Sequence, residues 1–169
     1  VEPLRLVRCG DARLPAYHVI GGVDAVAEIA SALEAAGALR ADASDWEVVR
    51  VEEGAPAYGV DMDEGTIPTE AGLEVVAIDH AKGCYTGQEV IVRIRDRGHV
   101  NRKLLQVRLG DIEPPATGTE LFVEGREKPG AEVRSAVRSP LFGETIALAY
   151  VRREVWTGEG EQPALAPRD

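Results

Sequence analysis

Two cysteines, one methionine, two tryptophans and three histidines among 169 residues leave few of the side chains from which metal and redox centres are built. Cys9 and Cys84 stand far apart without C-x-x-C spacing, which argues against a disulfide framework and a zinc ribbon and points to the cytoplasm or another reducing compartment. His18, His80 and His99 show no paired metal-ligand spacing, so no metal is expected to be held by this chain. Long apolar runs are also missing. Val75 to Ile78 and Ile146 to Val151 fall far short of the roughly 20 residues of a spanning helix, so the expectation is a soluble chain with no membrane partner. No basic-then-apolar secretory segment opens the chain. Neither a Walker loop nor a dinucleotide fingerprint occurs, which leaves nucleotide-fuelled chemistry unsupported. Positive charge is scarce, with 19 Lys and Arg against 29 Asp and Glu; a net charge of −10 disfavours nucleic acid as a partner.

What is present is globular: 44% hydrophobic and 28% charged residues. The length suits one domain or two small ones at about 100–200 residues each. An opening Val1, with Met62 the sole methionine, suggests a chain cut from a longer one. Leu4 to Val7 and Tyr17 to Ile20 read as strands around a Gly-to-Pro loop, residues 10–15. Val26, Ile29, Ala30, Leu33 and Ala36 recur at helical spacing up to Gly37. Ser44-x-x-Glu47 reads as a capping box for a short helix over about 44–53, although Val48 to Val51 also suits a strand. Five Gly or Pro residues between Gly54 and Thr69 predict an ordered or ligand-facing loop. Leu73 to Asp79 reads as a buried strand, and a helix is expected from Thr86 to Asp96, ended by Gly98. Beyond it, alternation at Leu105, Val107 and Leu109, then at Val133 and Val137, with Leu121 to Glu124 and Glu144 to Val155, predicts four or more antiparallel strands forming a small barrel. Residues 158–169 carry no pattern and read as a tail.

Three clusters carry candidate chemistry. The stretch Arg50-x-Glu52-Glu53-Gly54, continuing through Tyr58 to Asp61, Asp63 and Glu64, is dense in carboxylates. A carboxylate accepts two coplanar N–H donors and so suits a pterin or purine edge, with Glu52 as the candidate; a solvated acidic loop is the ordinary alternative. In Lys82-Gly83-Cys84-Tyr85-Thr86-Gly87-Gln88-Glu89, a helix start and Lys82 would favour the thiolate of Cys84, against the alternative of a small residue packed in a turn. Arg93, Arg95, Arg97, Arg102 and Lys103 are opposed over residues 93–103 only by Asp96, a basic island suited to an anionic tail or acidic partner unless it is a solvated helix face.

The octapeptide 82–89 resembles the signature of the YgfZ family of folate-binding proteins, relatives of the glycine-cleavage T-protein. Arg50 to Gly54, Tyr58 to Glu64 and Ile67 to Leu73 follow the shared folate-domain pattern in order, and Val133-Arg134-Ser135, Ser139-Pro140 and Ile146 to Val151 resemble the C-terminal barrel. The match covers about residues 44–151, while 1–43 add a compatible strand-and-helix pattern. The resemblance implies an α+β fold: a partial ferredoxin-like, T-protein-like folate domain over 1–97, a small antiparallel β-barrel over 98–157 and a tail over 158–169. It implies a tetrahydrofolate-binding protein that supports assembly or repair of iron–sulfur clusters in client enzymes, with those enzymes or assembly proteins as partners. Cys84 with Lys82 would be the functional thiol site, and Glu52, Tyr58, Asp61, Tyr85, Gln88 and Arg97 would bind folate. The alternatives are a folate-dependent aminomethyltransferase, the transferase it would be if an enzyme, and a non-catalytic interaction module.

Overall fold

The computed structural model describes residues 3–9, 15–156 and 164–167. The chain divides into two compact units, Val1–Trp46 and Glu47–Asp169. The sequence-derived boundary at 97/98 falls inside the second unit.

In the first unit, β1 (Arg5–Cys9) and β2 (Ala16–Ile20) form an antiparallel hairpin with Arg5 opposite Ile20 and Cys9 opposite Ala16. Helix α1 (Val23–Ala35) follows the predicted periodicity. It ends where Gly37 adopts φ +97°, a left-handed conformation that costs glycine no side-chain clash and lets its N–H reach the Glu34 carbonyl at 2.9 Å.

Helix α2 (Ala43–Glu52) crosses the division. Its cap differs from the expected one. Asp42 Oδ1 accepts from Ser44 N at 2.7 Å and Asp45 N at 3.1 Å, while Asp45 Oδ2 accepts from Asp42 N at 3.0 Å. The reciprocal pair is therefore Asp42 and Asp45, two residues before Ser44 and Glu47, and Glu47 pairs with Arg50 instead.

The second unit is built on a five-stranded antiparallel sheet ordered β3-β6-β5-β4-β7, from β3 (Arg102–Gly110), β4 (Glu120–Val123), β5 (Ala131–Ser139), β6 (Glu144–Arg152) and β7 (Leu165–Pro167). The sheet is mixed with helices, as expected, but it is open. Among the described residues β3 and β7 remain its two edges, because the three-residue β7 pairs with β4 alone, and barrel closure needs a ladder between first and last strands. β7 lies within the stretch read as a tail; three residues ending in Pro167 carry no periodic signal and suit an edge.

Two cores follow from the strand periodicity. β6 lies between β3 and β5 and is buried on both faces. Ile146, Leu148 and Tyr150 face Val51 of α2 with Leu104 and Val137, while Ala147, Ala149 and Val151 face Leu121, Val133 and the Val155 of α5 (Arg153–Trp156). β5 changes sides between them. Val133 pairs with Ala149 and Ser135 with Leu148, so Arg134 is an extra, bulged residue. A one-residue offset sends every later side chain to the opposite face. Ala131 and Val133 therefore enter one core, whereas Ser135, Val137 and Ser139 turn toward α2.

The segment Leu73 to Asp79 is not a buried strand. It holds the single-turn helix α3 (Glu74–Ala77), with Val75 92% exposed; a short apolar run does not distinguish strand from helix by periodicity. Helix α4 (Gln88–Arg97) starts two residues later than expected, after Gly87 at φ +86°. No described helix is long and apolar enough to cross a membrane.

Leu148 is 1% exposed in the core beneath α2. Leu148→Ala should lower the unfolding free energy by about 2–5 kcal/mol, read from urea denaturation of the purified chain.

Candidate functional site

The C-terminal turn of α2 is held on the sheet by its own backbone. Gln106 Nε2, on β3, donates to the Val51 carbonyl at 2.7 Å, which also accepts from Gly54 N at 3.1 Å, and to the Glu52 carbonyl at 2.9 Å at the helix end. One turn of α2 then projects two side chains with different fates.

Arg50 is 4% exposed and all five of its N–H donors are engaged. Nη1 donates to Asp61 Oδ2 at 2.6 Å and to the Ala55 carbonyl at 3.3 Å; Nη2 donates to Ser135 Oγ at 2.6 Å and to Glu47, and Nε to Glu47 at 2.7 Å. The Ser135 hydroxyl in turn donates a hydrogen bond to Asp61 Oδ1 at 2.6 Å, and Ala57 N donates to Oδ2 at 2.8 Å. Burial works against the guanidinium charge, yet Glu47 and Asp61 hold Arg50 above its ordinary range. Asp61, expected to touch folate, is instead 0% exposed with both oxygens occupied. Its carboxylate pins the 55–61 loop to helix and sheet.

Glu52 is half-buried on the other side of that turn. Its Oε1 accepts from the Ser139 hydroxyl at the end of β5 and from Leu141 N at 3.1 Å. Val49, one helical turn earlier and 37% exposed, and Leu141, 64% exposed, supply apolar surface near this carboxylate. A fixed carboxylate beside exposed apolar side chains is the donor-acceptor chemistry that a flat ring with an N–H-bearing edge requires. Tyr58, also a folate candidate, is 66% exposed in the same loop as Asp61.

The 82–89 turn forms a second, separate constellation. Lys82 Nζ sits 4.6 Å from the Tyr85 ring centroid, and Tyr85 N donates to Gln88 Oε1 at 3.3 Å. Cys84 is a free, exposed thiol between them. It precedes Gly87, the N-cap of α4, by three residues, so it does not sit in the first turn of the helix. The side chains of Cys9 and Arg97 lie outside the described residues.

The described cations of the basic island are each paired: Arg93 with Glu89 at 2.6 Å, Arg95 with Asp96 at 2.6 Å, Arg102 with Glu70 at 2.9 Å and Lys103 with Glu74 at 3.4 Å. The last two carboxylates lie 32 and 29 residues away in sequence, beyond any local charge count. Two concavities, of about 360 Å³ beside Tyr150 and Arg102 and about 690 Å³ beside Leu105 and Trp156, are lined by neither Glu52 nor Cys84. Among the described residues no group of three or more His, Cys, Asp or Glu is arranged to hold a metal ion. Residues that sequence reasoning passed over are Ser135 and Ser139; their signal is polarity at inward positions of a strand whose other inward residues are Val133 and Val137.

No family model matches the chain. It is similar to the aminomethyltransferase of Thermotoga neapolitana, 34% identical over 113 residues that make up 67% of this chain and 30% of that protein. The aminomethyltransferase of Rubrobacter xylanophilus is 35% identical over 123 residues, 73% of this chain and 32% of that one. The aminomethyltransferase of Thermosynechococcus vestitus aligns over 99% of this chain and 44% of its own length at 29% identity. The chain thus spans about a third of the length of the first two relatives and under half of the third. Its fold is shared with the crystal structure of the glycine cleavage system aminomethyltransferase T from Bartonella henselae, with a TM-score of 0.74 at 19% identity, covering 97% of this chain and 48% of that one.

Removing one partner of a buried ion pair strands the other charge. Asp61→Ala should destabilise the chain by about 3 kcal/mol in chemical denaturation, the lower end of that range because Glu47 still holds Arg50. A second test concerns Tyr150, whose hydroxyl is buried and, among the described residues, has no hydrogen-bond partner, although the nearby Thr66 side chain acts to lower its pKa. Burial raises this phenol above its ordinary value of 10.0. Such a group contributes stability that is complete below the ordinary value and lost as pH rises through the raised one. Tyr150→Phe should therefore reduce the fall in denaturation midpoint above pH 10 while costing little at pH 7.

Proposed function

We propose that this chain belongs to a tetrahydrofolate-binding protein supporting the assembly or repair of iron–sulfur clusters in client enzymes; its similarity to aminomethyltransferases and the fold shared with aminomethyltransferase T support the folate part, and the resemblance of residues 82–89 the iron–sulfur part. The observation that carries the folate reading is Glu52, a carboxylate held by Ser139 and Leu141 beside the exposed apolar Val49 and Leu141 side chains. In this reading Glu52 accepts the N–H donors of the pterin edge, and Val49 and Leu141 shield that edge from water. Tyr58, Tyr85 and Gln88 contribute further contacts to the ligand. Tetrahydrofolate bound there supplies a one-carbon carrier. Asp61 serves the site indirectly, by fixing Arg50 and hence the helix that presents Glu52.

The iron–sulfur reading rests on the octapeptide around Cys84 and on the exposure of that thiol, with the Lys82 ammonium stacked on the neighbouring Tyr85 ring. Clusters are cargo here, belonging to the client proteins. The similarity to the Thermotoga neapolitana aminomethyltransferase favours a second reading, aminomethyl transfer to tetrahydrofolate, in which the thiol has no chemical part.

Calorimetric titration with tetrahydrofolate under nitrogen should show binding, and Glu52→Ala should weaken it roughly tenfold or more, the loss of a charge-assisted hydrogen-bond pair. Equal affinity in Glu52→Ala would return the carboxylate to a purely structural role. In cells lacking the protein, Cys84→Ala should fail to restore iron–sulfur enzyme activity while Cys9→Ala restores it. Full restoration by Cys84→Ala, together with methylenetetrahydrofolate formation from an aminomethyl-lipoyl donor, would establish the second reading instead.

A further inference from the structure

Ser139 is 1% exposed, at the last position of β5, and its hydroxyl is fixed from both sides. It donates to Glu52 Oε1 and accepts from Phe142 N at 3.0 Å, while Leu141 N donates to the same Glu52 oxygen at 3.1 Å. Two donors on one oxygen, one from a buried side chain and one from a backbone amide, set the rotation of the carboxylate plane as well as its position. A planar ligand edge reads that rotation, because paired N–H donors weaken steeply once they leave the plane of their acceptor.

The location of the carboxylate makes this support necessary. Glu52 is the last residue of α2, where the helix dipole disfavours negative charge, and it is half-buried. The 139–142 turn supplies hydrogen-bond donors to the carboxylate at this position. Ser139 faces α2 only because of the bulge at Arg134; Ala131 and Val133, before the bulge, enter the other core.

We infer that Ser139 is a positioning residue for the ligand site: its hydroxyl, clamped by the turn after β5, orients the Glu52 carboxylate for the pterin edge of a reduced folate. The inference rests on the folate reading above and adds to it the element that sets the angle of recognition. It also makes the β5–β6 turn part of the binding apparatus, so that ligand binding should tighten this turn against solvent.

The test is a cycle of Ser139→Ala, Glu52→Gln and the double variant, titrated calorimetrically with tetrahydrofolate on the full chain, with folding checked by circular dichroism and thermal midpoint. Ser139→Ala should weaken binding about tenfold, Ser139→Thr, which keeps the hydroxyl, should recover most of that loss, and Ser139→Ala should cost less than twofold further in the Glu52→Gln background. Amide exchange of residues 141–143 should slow on adding tetrahydrofolate to the unsubstituted chain. A Ser139→Ala chain that is folded and binds as tightly as the unsubstituted one, while Glu52→Gln is impaired, overturns the inference and leaves the folate reading standing. An equal loss from Ser139→Ala in both backgrounds also overturns it, since the hydroxyl would then act elsewhere. Undiminished binding by Glu52→Gln removes the anchor itself, and with it both readings of this carboxylate.

Discussion

One extra residue in β5 determines what the second unit can present. The bulge at Arg134 turns Ser135, Val137 and Ser139 toward α2 after Ala131 and Val133 have entered the opposite core. Without that offset the same strand would keep its serines with the apolar side chains of the second core, and Arg50 and Asp61 would lose the hydroxyl that joins them. The Arg50–Asp61 pair would then have to offset its desolvation with fewer hydrogen bonds, a condition under which buried ion pairs are destabilising. A local irregularity thus supports a long-range polar network, and that network fixes the end of α2.

The two carboxylates on this frame show how position divides labour. Asp61 and Glu52 come from the same acidic stretch, yet the first is sealed with three donors around it and the second reaches the surface of the sheet's end. Arg134 contributes to the same frame from the bulge, its Nη2 donating to the Val60 carbonyl at 2.8 Å beside Asp61. The rigidity of Asp61 and Arg134 is transmitted to Glu52 through one helical turn and through β5, so a ligand at Glu52 would meet a preorganised group whose ordering cost is already met in the fold.

Charge works locally in this chain. Its net charge of −10 repels anions at long range, and the cations from Arg93 to Lys103 whose side chains are described each sit against a carboxylate. Under the proposed reading, a folate would be selected by oriented hydrogen bonds at Glu52 more than by attraction to a basic field. The Cys84 turn stands apart from that anchor in its construction: Lys82, Tyr85 and Gln88 engage one another, and the thiol between them is open to solvent.

The helical period from Val26 to Ala36, the alternation in β3 and the turn residues around them determined α1, the β3 strand and the antiparallel character of the C-terminal part, because those signals are local and each residue carries its own preference. The octapeptide at 82–89 and the carboxylates near Arg50 likewise marked both candidate constellations. Partnership was not local. That Asp61 belongs to the interior, that Glu70 and Glu74 neutralise Arg102 and Lys103, and that Ser139 holds Glu52 were decided by contacts spanning 11 to 87 residues. The open sheet was decided the same way, by a three-residue β7 too short to leave a pattern and placed only by its ladder with β4. Residue type and spacing state what a side chain is able to do; which partner satisfies it is an energetic competition among groups that only the folded chain brings within reach.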